Sequence, residues 1–121
     1  MFLQLAHTRL EVFSATKRFC IECYRLTKRF PTEERYNMTS QLRRAALSAH
    51  LNMAEGSSRR SEANRKRFFE IARGSVIEVD TVFDLAVELQ YCTVQDLHIV
   101  GLLIVESFKI LSGLIAAPMK S

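Results

Sequence analysis

The sequence predicts an all-α protein built as an up-down antiparallel four-helix bundle. Three observations predict it. Apolar residues recur at three- and four-residue spacing along most of the chain, as on amphipathic helices. Only four Gly and two Pro occur in 121 residues, too few for a protein rich in β-turns. The connections expected at 57–60 and 92–93 are short, and short connections make neighbouring helices antiparallel. A chain of this length fits one domain, 1–121, and buries enough apolar surface to need no covalent or metal staple.

The first helix is expected over about 8–29. Val12, Phe13, Thr16, Phe19, Cys20, Cys23 and Leu26 make its apolar stripe. Pro31 ends it, because proline disfavours helix at the preceding residue, and FPTEERYN follows as a loop. The second helix is expected over about 39–56, with Asn37, Thr39 or Ser40 as N-cap and Gly56 free to take positive φ at its end. The third spans about 61–91. Ser58 or Ser61 caps it, and Glu62 favours the positive end of its dipole. Its apolar arc is Phe68, Ile71, Ala72, Val79, Val82, Leu85, Ala86 and Leu89, interrupted by Ser75 and Glu78. Gly74 offers a close approach to the second helix. The fourth spans about 94–117, with Thr93 as N-cap, Asp96 in a capping-box position and Pro118 just beyond. The stretch Ile99 to Ala117 approaches membrane-spanning length, but Glu106 and Lys109 would be costly at a bilayer centre. It reads as a soluble helix buried on more than one side, not a membrane segment.

The second helix carries two apolar faces. Leu42, Ala45, Ala46, Ala49 and Met53 form one, and Leu47, Leu51 and Ala54 lie roughly opposite. Two faces imply two packing partners, the bundle core and a second subunit, since a large exposed apolar patch is unusual on a soluble monomer. Between them runs a polar strip of Arg44, Ser48, Asn52 and Glu55. At the margin of a buried region such groups need hydrogen-bond partners. Antiparallel pairing sets Arg44 opposite 74–78, so an Arg44–Glu78 pair is expected, with Ser48 or Asn52 in the same network. The alternative is a solvated polar face.

Charge is unevenly distributed. Net charge is +4; residues 1–36 hold seven Lys/Arg against four Asp/Glu, residues 37–74 eight against three, and residues 75–121 two against six. This partition predicts a basic end and an acidic end. The densest run is SSRRSEANRKRFF, with Arg59, Arg60, Arg65, Lys66 and Arg67 at a helix start, an arrangement suited to phosphate. A ring of subunits would repeat it and raise effective concentration without new contacts. A solubilising helix face is the alternative. Phe68 and Phe69 adjoin the run, where they could stack on bases, but their spacing with Ala72, Val76 and Val79 places them in the core.

Enzymatic chemistry is not expected. CIEC (Cys20 to Cys23) falls in mid-helix on the core side, not at a helix N-terminus where the dipole activates a thiol. No second pair completes a zinc site. His7, His50 and His98 lack ligand spacing, and His50 reads as a surface or interface residue. Glu55 and Glu78 could approach each other, with arginine partners the simpler expectation. No phosphate loop or nucleophile elbow occurs. Catalytic, metal and cofactor sites are therefore all read as none. Three Cys form no disulfide framework, and the N-terminus has no secretory leader pattern, so a reducing cytoplasm is expected.

FP at 30–31, YNMTSQLRRA (36–45), Ser48, NMAEG (52–56), Arg59, Ser61, IARGS (71–75), Glu78 and LAVELQY (85–91) follow one another in order. Over about 13–91 the chain resembles the four-helix-bundle proteins encoded in intervening sequences of bacterial large-subunit ribosomal RNA genes. Met53 stands where that family usually has Ile, and Gln90 where it often has Gly before the Tyr. The resemblance implies a homopentamer. The family is in turn similar to basic pentameric accessory proteins of retroelements, which implies RNA or DNA and a reverse transcriptase as partners. Residues and resemblance together point to a non-enzymatic oligomeric binding or scaffold protein that contacts nucleic acid. The alternative is a structural assembly with an acidic protein partner and no nucleic-acid role.

Overall fold

The computed structural model describes residues 10–118; the expected helix start at Thr8, and His7, lie outside them. Four helices form: α1 (Glu11–Thr27), α2 (Met38–Ser58), α3 (Glu62–Glu88) and α4 (His98–Ala116), with a 3-10 turn at Thr32–Glu34 in the first connection. No strand occurs among the described residues. Each helix packs against two neighbours in a closed cycle, α1 to α2, α2 to α3, α3 to α4 and α4 to α1. Side-chain pairs fix the directions. Thr16 meets His50 and Thr27 meets Arg43; Ser48 meets Ser75 and Gln41 meets Glu78. Lys66 meets Ala117 and Arg73 meets Ser112; Arg18 meets Glu106 and Arg29 meets Asp96. In each helix pair one residue number rises as its partner's falls, so all four contacts are antiparallel.

The predicted stripe of α1 and the first face of α2 enter the core intact. Val12, Phe13, Thr16, Phe19, Cys20, Cys23 and Leu26 are buried, as are Leu42, Ala45, Ala46, Ala49 and Met53. In α3 the buried arc is Phe69, Ala72, Val76, Val79, Phe83 and Ala86. The expected arc was rotated: Ile71, Leu85 and Leu89 are exposed. α3 is apolar around more than half its circumference, so periodicity alone leaves its rotation open. α4 differs more. Only Val100, Leu103, Ser107 and Leu111 are buried, while Leu102 is 60% exposed and Ile99 and Val105 are also exposed. In the single chain α4 is therefore covered on one side, not on several. By length and composition it is apolar enough to cross a membrane.

Neither glycine of the α2–α3 pair has the role expected of it. α2 runs through Gly56 to Ser58, and no glycine has positive φ. A Cβ on Gly56 would lie 2.9 Å from the Phe69 ring and 3.1 Å from the Arg65 carbonyl oxygen. Gly56 thus provides the close approach, whereas Gly74 faces open space. Positive φ falls instead on Gln90, at 63°. Here α3 ends in a Schellman arrangement: Tyr91 N–H donates to the Ala86 carbonyl and Gln90 N–H to the Val87 carbonyl. The Tyr91 ring lies 5.8 Å from Phe30, and its hydroxyl donates to Glu34 Oε2 at 2.8 Å. This ties the α3–α4 corner to the 3-10 turn, and the Glu34 carboxylate pushes the phenol pKa up.

The expected capping box forms: Thr93 N–H donates to Asp96 and Asp96 N–H donates to Thr93 Oγ1. Tight turns at Val94 and Gln95 follow, so regular helix begins only at His98. These amide and hydroxyl bonds, with Arg29, hold the Asp96 pKa low.

Candidate nucleic-acid interface

The basic run sits where α2 passes to α3. Ser61 caps α3 by accepting from Asn64 N–H. The five cations are not equivalent. Arg59 pairs with Glu55 one turn back on α2, and its guanidinium lies 5.0 Å above the half-buried Phe68 ring. Phe69 is in the core but Phe68 is not, which corrects the reading that buried both. Lys66 donates to the Ala117 carbonyl at the end of α4. Arg65 is half-buried in a cleft shared with Glu11 and Leu114. Arg60 and Arg67 are exposed, and neither has a hydrogen-bond or ion-pair partner among the described residues. The free cationic surface is therefore Arg60 and Arg67, with the stacked Arg59 beside them.

The polar strip of α2 separates into unconnected pieces. Asn52 Nδ2 donates to the Ser48 carbonyl at 2.9 Å and to Ser48 Oγ at 3.0 Å; Ser75 Oγ donates to Ser48 Oγ at 3.0 Å. This group is one of two polar bridges between α2 and α3 among the described residues. Glu78 does not meet Arg44. It accepts from Gln41 Nε2 at 2.7 Å, while Arg44 is exposed and unpaired among the described residues. The antiparallel register was right, but Gln41, one turn earlier, occupies the side of α2 that faces α3. Glu55 and Glu78 are likewise apart, one bound to Arg59 and the other to Gln41.

Charge does not sort into a basic and an acidic end. The α1 C-terminus shares an end of the bundle with the α3 C-terminus and the α4 start, so Lys28, Arg29, Arg35, Arg43 and Arg44 lie at the same end as Asp84, Glu88 and Asp96. The Arg29–Asp96 ion pair at 2.9 Å joins the two sets. Arg35, Arg43 and Arg44 also gather around Tyr24 and Tyr36 in a groove that the one-dimensional reading missed.

Cys20 and Cys23 are buried, and burial pushes both thiols above their ordinary pKa, Cys23 the further. A raised thiol pKa disfavours the thiolate that redox chemistry requires. His50 is half-buried at the interface of α1 and α2: Nδ1 lies 2.8 Å from Thr16 Oγ1 and its ring 4.9 Å from that of Phe13. Burial, then the Lys17 charge, lowers its pKa.

A family model described as 23S rRNA-intervening sequence protein matches residues 8–113. Among solved structures, the chain is similar to a protein of unknown function from the S23 ribosomal protein family of Bacteroides thetaiotaomicron. That likeness has a TM-score of 0.78 at 19% identity and covers 88% of this chain and 99% of the other. At this identity it speaks for the fold alone. No curated protein matches the chain.

Proposed function

The chain belongs to the 23S rRNA-intervening sequence protein family, and from that premise we propose that it is a non-enzymatic, oligomeric binding or scaffold protein. It works in the cytoplasm, without a membrane, and contacts nucleic acid through a basic patch repeated around the assembly. One observation carries the nucleic-acid reading: among the described residues, Arg60 and Arg67 stand exposed without a carboxylate partner, next to Arg59 stacked on Phe68. Guanidinium groups free of intramolecular partners are available to phosphate oxygens. Support for assembly is the exposed second face of α2, where Leu47 and Leu51 are 42% and 56% exposed, together with Leu102 and Val105 on α4. Surfaces of this kind mark contacts between chains. The number of copies proposed is five, which only the resemblance implies.

Two measurements test this reading. Sedimentation equilibrium at micromolar concentration should give an oligomer; a monomer rejects assembly, and another closed number rejects only the pentamer. Binding to a labelled duplex or single strand should weaken with salt, with a slope of log K against log[salt] of about −0.9 or −0.7 per phosphate contacted. The Arg60→Gln, Arg67→Gln double variant should flatten the slope while leaving the assembly intact. An unchanged slope removes this patch from the mechanism.

A further inference from the structure

Tyr36 is 85% exposed, the highest value for a large apolar side chain among the described residues. A ring held this far into water contributes little to the core. The Arg35 guanidinium lies 5.2 Å from its centroid, a contact that occupies one face of the ring. Across a groove of about 320 Å³, Arg43 lies 5.1 Å from the centroid of Tyr24. Arg43 is held there by hydrogen bonds from Nε to Thr27 Oγ1 (2.8 Å) and from Nη2 to the Tyr24 carbonyl (3.2 Å). Arg44 lines the same groove with no partner among the described residues. Among the described residues no carboxylate lines it, and the nearby Glu34 is engaged by the Tyr91 hydroxyl and the Asn37 amide.

We propose that this groove binds an unpaired segment of a polynucleotide, with Tyr36 and Tyr24 stacking on bases and Arg35, Arg43 and Arg44 meeting the backbone phosphates. Aromatic faces interleaved with guanidinium groups match a chain in which planar bases alternate with anions. Charge alone would serve an acidic peptide equally well, but it gives no reason to present Tyr36 to water. A duplex does not fit, because its bases are stacked on one another and offer no free face. The groove lies at the opposite end of the bundle from Arg60 and Arg67. The two surfaces share no residue, so the groove is tested by separate variants.

The protein supplies its own probe. It has no Trp and three Tyr, two of which line the groove while the third is bonded to Glu34. The full-length chain is titrated with a short ribonucleotide strand, the matching deoxyribonucleotide strand, their duplex forms and an abasic strand of equal charge. Tyrosine fluorescence and the anisotropy of a strand label are followed together. Unpaired strands should quench the tyrosine signal and bind more tightly than duplex or abasic strands. Tyr36→Ala should weaken single-strand binding by about five- to 150-fold, the range for loss of one stacked base. Arg44→Gln should reduce the salt slope by about 0.7. Preference for either sugar supports the groove and assigns the strand as RNA or DNA. Equal binding of the abasic strand or duplex, or unchanged affinity in Tyr36→Ala, overturns the proposal. So does a change of assembly size in Tyr36→Ala at unaltered affinity, which would make the groove a contact between copies.

Discussion

Arginines cluster at both ends of the bundle, but they arrive there differently. At the α2–α3 corner the cations come from nine consecutive residues, Arg59 to Arg67. Neighbours on the same and adjacent helices then occupy much of that charge: Glu55 takes Arg59, and the Ala117 carbonyl takes Lys66. At the opposite end Arg35, Arg43 and Arg44 follow the 3-10 turn and the start of α2, and Tyr24 comes from α1. Their arrangement leaves the carboxylates turned elsewhere. A run of positive residues in sequence is thus a poor measure of available charge, since a helix places partners one turn away. The ends also differ in packing. The first is close-packed, with Gly56 against Phe69, whereas the second holds Gln90 in the left-handed region.

The largest expected effect breaks the close-packed end. Gly56→Val should destabilise the chain by about 3 kcal/mol, because its side chain must displace the buried Phe69 ring or the Arg65 backbone. Urea denaturation checks this; a loss below about 0.5 kcal/mol would show that α2 and α3 do not approach as described. Gln90→Gly works in the opposite direction at the other end. It should stabilise by about 1 kcal/mol, the cost of a side chain in the left-handed region, visible as a rise in the denaturation midpoint.

A smaller effect comes from between the ends, at His50. Its pKa in the folded chain is lowered from 6.5, so the unfolded chain binds the proton more readily. Stability from this group is present above about pH 6.5 and is lost as pH falls through the folded pKa. His50→Gln should lessen the fall in stability between neutral and mildly acidic pH; an identical pH profile would mean that the imidazole does not titrate differently on folding. The smallest effect on stability is Glu55→Gln, within about 0.5 kcal/mol for an exposed ion pair. It releases Arg59, so the salt slope for nucleic-acid binding should steepen. A flatter slope would place Arg59 outside the contact.

The helices themselves were legible where one face is much more apolar than the rest. α1 has a single stripe from Val12 to Leu26, and its burial follows from that pattern. α3 and α4 have apolar residues on too many sides for periodicity to choose among them, which is why Ile71, Leu85 and Leu102 proved exposed. The Ser61 cap and the Thr93–Asp96 box were readable because caps depend on residues near in sequence; the left-handed Gln90 was not, since the third helix was expected to run through it to 91. Of the candidate site, the residues Arg59 to Arg67 were legible as a run, but their partners were not. The groove at the other end carried no contiguous signal.

By itself the sequence determined the four helices, their antiparallel order, the core face of α1 and α2, and the resemblance carried by its spaced motifs. All of these rest on periodicity, local hydrogen bonding or short connections, which act over a few residues. Tertiary structure decided which side of α3 and α4 is covered, that Gly56 and not Gly74 meets a neighbouring helix, that Gln41 and not Arg44 reaches Glu78, and which arginines remain free. Those outcomes depend on helix rotation and on side chains dozens of residues apart. A rotation of one helix by a single residue, 100°, changes every such contact while leaving the local pattern untouched.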